Sequence, residues 1–167
     1  MKKLMIAAML AAVILVPTAF AAVPMTGAKA ALADKDLTLT DMLTYALQDE
    51  RIARAEYEVI LDAFGNARPF SNIIKAEETH IRYLTDLFAA HEVAVPTDAT
   101  AKPAAPKDWA SALEAGRQAE IDNIAMYDRF LAQNLPADVR QVFEQLKAAS
   151  QNHLRAFTGN RAGSGRA

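Results

Sequence analysis

Phe70-Ser71-Asn72-Ile73-Ile74-Lys75-Ala76-Glu77-Glu78-Thr79-His80-Ile81-Arg82-Tyr83-Leu84-Thr85-Asp86-Leu87 is the stretch on which the fold turns. Phe70, Ile73, Leu84 and Leu87 recur at the spacing that stacks side chains along one face of an α-helix. Glu77 and His80 occupy the intervening steps of that same stripe, where a purely apolar core would place leucine. An inward-facing Glu-x-x-His pair one turn apart is an arrangement of metal ligands.

Three further segments repeat the anomaly. The stripe Leu43, Ala46, Glu50, Ala53, Tyr57, Ile60 and Phe64 carries a glutamate at a core step. A third stripe, Leu113, Gly116, Glu120, Tyr127 and Phe130, does the same, and a fourth, Val139, Phe143, Leu146, His153 and Phe157, carries a histidine. Burying three ionised carboxylates in one small core costs several kcal/mol per ion unless something compensates them. A divalent cation held by Glu50, Glu77, His80, Glu120 and His153 would do so. Carboxylate and imidazole ligands suit iron, manganese or zinc, and the chain has no cysteine to favour a softer metal.

Local signals divide the chain into four long helices. Thr38 or Thr40 caps the first, which runs to Gly65-Asn66, and a turn through Pro69 leads to the second, starting near Ser71 and ending before Pro96. Asp108 caps the third, which reaches about Gln133, and Asn134-Leu135-Pro136 opens the fourth, ending by Gly159. The connection of roughly 14 residues from Val93 to Lys107 is rich in Ala and Pro and can stretch to about 46 Å. The second helix is only about 33 Å long, so this connection can run the full length of a bundle. Two short turns flanking one long crossover is the connectivity of a ferritin-like four-helix bundle, with the crossover between helices 2 and 3. A simple up-and-down bundle with a long loop is the alternative. The expected bundle covers residues 38–158, with a flexible Ala/Pro/Gly lead-in at 22–37 and a disordered tail at 159–167.

Residues 1–21 read as a secretory signal peptide. Lys2 and Lys3 precede an apolar run from Leu4 to Val16, and Ala19-Phe20-Ala21 offers small residues for cleavage. The run is shorter than the roughly 20 residues that span a bilayer, so no stable membrane anchor is expected after cleavage. The predicted location is periplasmic or secreted. Without the leader, 16 Lys and Arg face 20 Asp and Glu, a formal charge of −4, which argues against nucleic acid as a partner. With 167 residues, 52% of them hydrophobic, one domain can bury a full core, and it must do so without disulfides.

The residues also resemble a known group. Asp49-Glu50-Arg51-Ile52-Ala53-Arg54-Ala55-Glu56-Tyr57 looks like the first-helix segment of rubrerythrin-type proteins, and Glu77-Glu78-Thr79-His80 looks like their second-helix pair. More narrowly, Phe70-Ser71-Asn72-Ile73, Glu78-Thr79-His80 and Ser150-Gln151-Asn152-His153-Leu154-Arg155-Ala156-Phe157 are similar to a bacterial ferritin-like family catalogued as domain of unknown function 2202. The resemblance spans Leu39 to Phe157 and implies a ferritin-like fold, whose usual ligands are one Glu on each of helices 1 and 3 and Glu-x-x-His on each of helices 2 and 4. The chain departs from that pattern at Ser150, which stands three residues before His153 in place of a glutamate. A single ion, or two unequal ones, fits this shorter set, with Asn123 or water supplying oxygen.

Several neighbours carry second readings. Arg54 could pair with Glu50 without any metal, and Glu56 competes with Glu50 for the level of Glu77. Tyr57 and Tyr127 each follow a candidate glutamate by seven residues, about 10.5 Å along the axis, and fit either a ligand-supporting role or ordinary core packing. His91 reads as a capping or surface residue, Trp109 as packing for the bundle end, and Asp49, Glu78, Glu114 and Asp122 as solvated surface. The resulting expectation is an exported non-haem metal protein, iron first, with oxygen- or peroxide-dependent oxidation as its chemistry if it is an enzyme. A non-catalytic metal-sequestering protein and a metal-free helical interaction module are the alternatives.

Overall fold

The structure, a computed structural model, describes residues 25–98 and 100–159; the expected leader and most of the expected tail lie outside them. Five helices and no strand occur among the described residues: α1 (Gly27–Ala33), α2 (Leu39–Phe64), α3 (Phe70–Ala90), α4 (Trp109–Leu131) and α5 (Ala137–Gly159). None is long and apolar enough to cross a membrane. Helix α2 begins in a capping box, in which Thr38 Oγ1 accepts from the Asp41 N–H and the Asp41 carboxylate accepts from the Thr38 N–H. It stops at Gly65, whose φ of 81° a side chain would resist. Asp108 caps α4 by accepting from the Ser111 N–H at 2.7 Å.

Contacts along the four long helices fix their directions. Tyr57 meets Glu120 and Glu50 meets Tyr127, so α2 and α4 run antiparallel. Phe70 lies against Phe157 and His91 against Asp138, so α3 and α5 are antiparallel as well. Helices α2 and α3 oppose each other through Glu50–His80 and Tyr57–Phe70, as do α4 and α5 through Ser150–Asn123 and Lys147–Asp128. It follows that α3 and α4 are parallel, and the chain between them must return along the whole bundle. It does so on the outside of α2, where Arg51 donates to the Pro96 carbonyl, Asp98 faces Arg51 and Arg54, and Lys102 faces Asp62.

The apolar core is divided. One cluster gathers Leu43, Leu47, Leu84, Phe88, Phe130 and Phe143; the other gathers Tyr57, Ile60, Phe70, Ile73 and Phe157. At the second, Gly116 admits the Phe157 ring so closely that a Cβ would stand 2.5 Å from Cζ. Between the clusters lies a layer of buried Glu, His, Asn and Ser.

The lead-in differs from expectation. Instead of a flexible stretch, residues Gly27–Ala33 form α1, with Ala28, Ala30 and Ala31 buried, packed against α2 and α4. Alanine's small side chain costs little entropy in a helix, and its lack of contrast between faces leaves no apolar period to read. The helix is tied down by polar groups: the Gly27 N–H donates to Gln48 Oε1 and the Ala28 N–H to Asp49 Oδ1. Arg129 reaches back to the carbonyls of Leu32 and Asp34.

Candidate metal centre

The five residues named from the stripes converge in the polar layer. Glu50 is 2% exposed, Glu77 2%, Glu120 3%, His80 6% and His153 9%. Each long helix contributes at the same level because all neighbouring pairs are antiparallel and their registers coincide. His80 Nδ1 stands 3.1 Å from Glu50 Oε2 and 2.9 Å from Glu77 Oε2. His153 Nδ1 stands 3.3 Å from both Glu77 Oε1 and Glu120 Oε1. The two imidazoles stack at 5.8 Å between centroids. Glu56, the competing glutamate, is only half-buried and faces away from this layer.

The carboxylates and imidazoles set each other's charge. Burial pushes Glu50 up to about 7, helped by repulsion from Glu77. Burial alone would lower both histidines; hydrogen bonds with Glu50 and Glu77 instead raise His80 to about 10, and the nearby Glu120 and Glu77 carboxylates raise His153 to about 9. Burial also works against ionised Glu77, but its polar contacts with Glu50, His153 and His80 win and hold it below the usual carboxylate range. The metal-free layer is therefore built on imidazolium–carboxylate pairs.

A ring of donors surrounds the ligand atoms. Tyr127 donates to Glu50 Oε1 at 2.8 Å and Tyr57 to Glu120 Oε1 at 2.9 Å. Each tyrosine lies too far along its own helix to reach the glutamate it follows. The antiparallel register of α2 and α4 sets it against the other helix's glutamate instead. Burial raises both phenols well above 10, so they remain donors.

Asp49, expected as solvated surface, is instead half-buried and tied to the polar layer. It accepts from the Ala28 N–H on Oδ1 and from Asn123 Nδ2 on Oδ2, both at 2.8 Å, and burial pushes it up to about 7. Asn123 Oδ1 in turn accepts from Ser150 Oγ at 2.7 Å. A carboxylate contributed by α2 and held by α1 is thus linked through Asn123 to Ser150 on α5. The signal that could have found it is the helix-forming run Gly27-Ala28-Lys29-Ala30-Ala31-Leu32-Ala33, because that helix packs over Asp49 and bonds it through the Ala28 N–H.

Other expectations resolve individually. Arg54 turns outward to Glu58 and Asp98, not inward to Glu50. His91 ends α3 and meets Asp138 at 2.9 Å. Trp109 packs edge-on against Phe64 and Phe70. Glu78 and Glu114 are exposed, and Asp122 is half-buried.

Two sets of ligand atoms could hold a metal ion: Glu50, Glu77 and His80, and Glu77, Glu120 and His153, each with its atoms within 4.8 Å of one another. The donor set is oxygen and nitrogen from carboxylate and imidazole, which fits borderline divalent cations. His153 Nδ1 is buried without a well-formed hydrogen bond although two carboxylate oxygens flank it, an arrangement that fits a cation between them. Beside these groups lies a cavity of about 10 Å³, lined by Glu50, Glu77, Glu120, Asp49, Asn123 and Ser150 among others. The ligand count along the helices suits one ion or two unequal ones; the geometry offers two triads that share Glu77.

The fold and the site together define an all-helical protein with buried Glu/His groups that could hold a metal ion. The fold is similar to that in the crystal structure of a hypothetical protein from Methanococcus jannaschii, with a TM-score of 0.67 and 21% identity over 78% of this chain and 85% of that one. At that identity the likeness is one of fold alone. No protein-family profile and no curated protein matches the chain.

Proposed function

We propose that the chain is an exported ferritin-like protein whose four long helices hold two divalent cations, iron foremost, in the Glu50/Glu77/His80 and Glu77/Glu120/His153 triads. The observation that carries this reading is the disposition of Glu77. Its Oε2 faces His80 and its Oε1 faces His153, so one carboxylate serves both triads as a bridge would. The antiparallel neighbours and the long crossover support the ferritin-like assignment. Export rests on the Lys2-Lys3, Leu4–Val16 and Ala19-Phe20-Ala21 pattern of the leader. Iron at such a centre supplies oxidation by dioxygen or peroxide. The protein's part is to hold the ions, orient their carboxylates through Tyr57 and Tyr127, and exclude bulk water.

Elemental analysis of protein recovered from the exported fraction tests the reading. Wild type should carry two ions per chain, Glu77→Ala none, and Glu50→Ala and Glu120→Ala one each. A wild-type protein that stays metal-free after reconstitution, or a Glu77→Ala variant that keeps its full complement, overturns it. Uptake of two ions without turnover of peroxide would assign the chain to metal sequestration. The imidazolium–carboxylate pairing favours one further reading, a metal-free helical module, which predicts unchanged thermal stability upon chelation and metal addition.

A further inference from the structure

A chamber of about 450 Å³ lies between α1, α2 and α4 on the outside of the polar layer. Asp49, Ala53 and Ala119 line both this chamber and the small cavity beside the ligands. These three residues therefore form a wall shared by the outer space and the cavity that borders Glu50 and Glu120. Glu56 and Asp122 also line the chamber against a single base, Lys29, which gives it a negative field that attracts cations. The opposite face of the layer, between α3 and α5, is occupied by the stacked rings of His80 and His153.

Resting on the two-ion reading above, we propose that this chamber is the port through which a hydrated divalent cation reaches the centre, with Asp49 as its inner gate. The two volumes divide the journey. The chamber of about 450 Å³ has room for a cation with its shell of water, whereas the inner cavity of about 10 Å³ has room for about one water molecule. The cation must exchange water for carboxylate oxygen at the boundary, where Asp49 stands. Helix α1 forms the outer wall and fixes the gate. The Ala28 N–H holds Asp49 from one side and Asn123 from the other, and a Cβ on Gly27 would come within 2.6 Å of Asp49 Oδ1.

The absence of native cysteine makes the port testable in the folded protein. Gln118 is exposed at the chamber and Lys75 is exposed on α3. Gln118→Cys and Lys75→Cys chains, each with and without a bulky maleimide attached after folding, would be mixed with Co(II) in a stopped-flow instrument and followed by d–d absorption. Labelling Gln118→Cys should slow uptake at least tenfold while the final two ions per chain are retained, and labelling Lys75→Cys should leave the rate unchanged. Equal rates for labelled and unlabelled Gln118→Cys would overturn the port and leave the two-ion reading intact. Failure of unmodified wild type to take up Co(II) would overturn the two-ion reading and the port with it.

Discussion

Loading the centre at pH 8 is expected to release about two protons per chain. A metal ion needs the lone pair of a neutral imidazole, yet His80 and His153 hold their protons up to about pH 10 and 9. At pH 7, three decades below the first value and two below the second, displacing those protons costs about 4 and about 3 kcal/mol at 1.36 kcal/mol per decade. The sign follows: affinity is weakest in acid, rises with pH, and levels off once both histidines are neutral. Between pH 7 and 9 the product of the two binding constants should climb about 100-fold per pH unit. Glu50, which titrates at about 7, adds up to a further half proton at pH 7 and little at pH 8. Calorimetric titration with Co(II) or Zn(II) in two buffers of different ionisation enthalpy counts the protons directly. Release of less than one proton at pH 8, or affinity flat from pH 7 to 9, would refute the proposed coupling of ligation to the imidazolium–carboxylate pairs.

Two further outcomes concern the scaffold. Tyr127→Phe removes the 2.8 Å donor to Glu50 and should destabilise the metal-free protein by about 2 kcal/mol in urea unfolding and weaken metal affinity about 10- to 100-fold with two ions still bound at saturation; unchanged affinity would contradict a role for Tyr127 in orienting Glu50. Gly116→Ala gains about 1 kcal/mol of helix propensity but drives a methyl group against the Phe157 ring, an overpacking cost of about 1–3 kcal/mol. A net loss of about 1 kcal/mol is expected, and a variant more stable than wild type would contradict the close approach of α4 and α5.

Much of the architecture was legible because its signals are local. Thr38 with Asp41, Gly65 and Asp108 act at helix ends through their own side chains or backbone, and the stripes through Glu50, Glu77 and His80 need only the helical repeat. What the sequence could not reveal depends on partners distant along the chain. Asp49 lies off the four-helix seam, and its partial burial comes from α1 and Asn123, 21 and 74 residues away. The exchange of tyrosines between Glu50 and Glu120 depends on the register of α2 against α4, which neither stripe contains. The match between the two triads was hidden for a similar reason: counting ligands per helix misses that the two oxygens of Glu77 can serve different neighbours.

The near-symmetry of the centre makes its one break informative. Glu77 precedes His80 by three residues on α3 as Ser150 precedes His153 on α5, so the two helices offer equivalent positions filled by unequal side chains. A glutamate at 150 would add a fourth carboxylate to the Glu50, Glu77 and Glu120 layer. Serine instead turns its hydroxyl to Asn123 and the Leu146 carbonyl, and leaves the polar cavity bordered by Asp49. That border is where the outer chamber begins. The short side chain of Ser150 thus borders the small cavity on its α5 side, and α1, pinned through Gly27 and Ala28, covers Asp49 on the other. A Ser150→Glu side chain would reach into the cavity that Asp49, Glu77 and Glu120 line, so the short side chain at 150 and the cover of α1 over Asp49 bear on the same space.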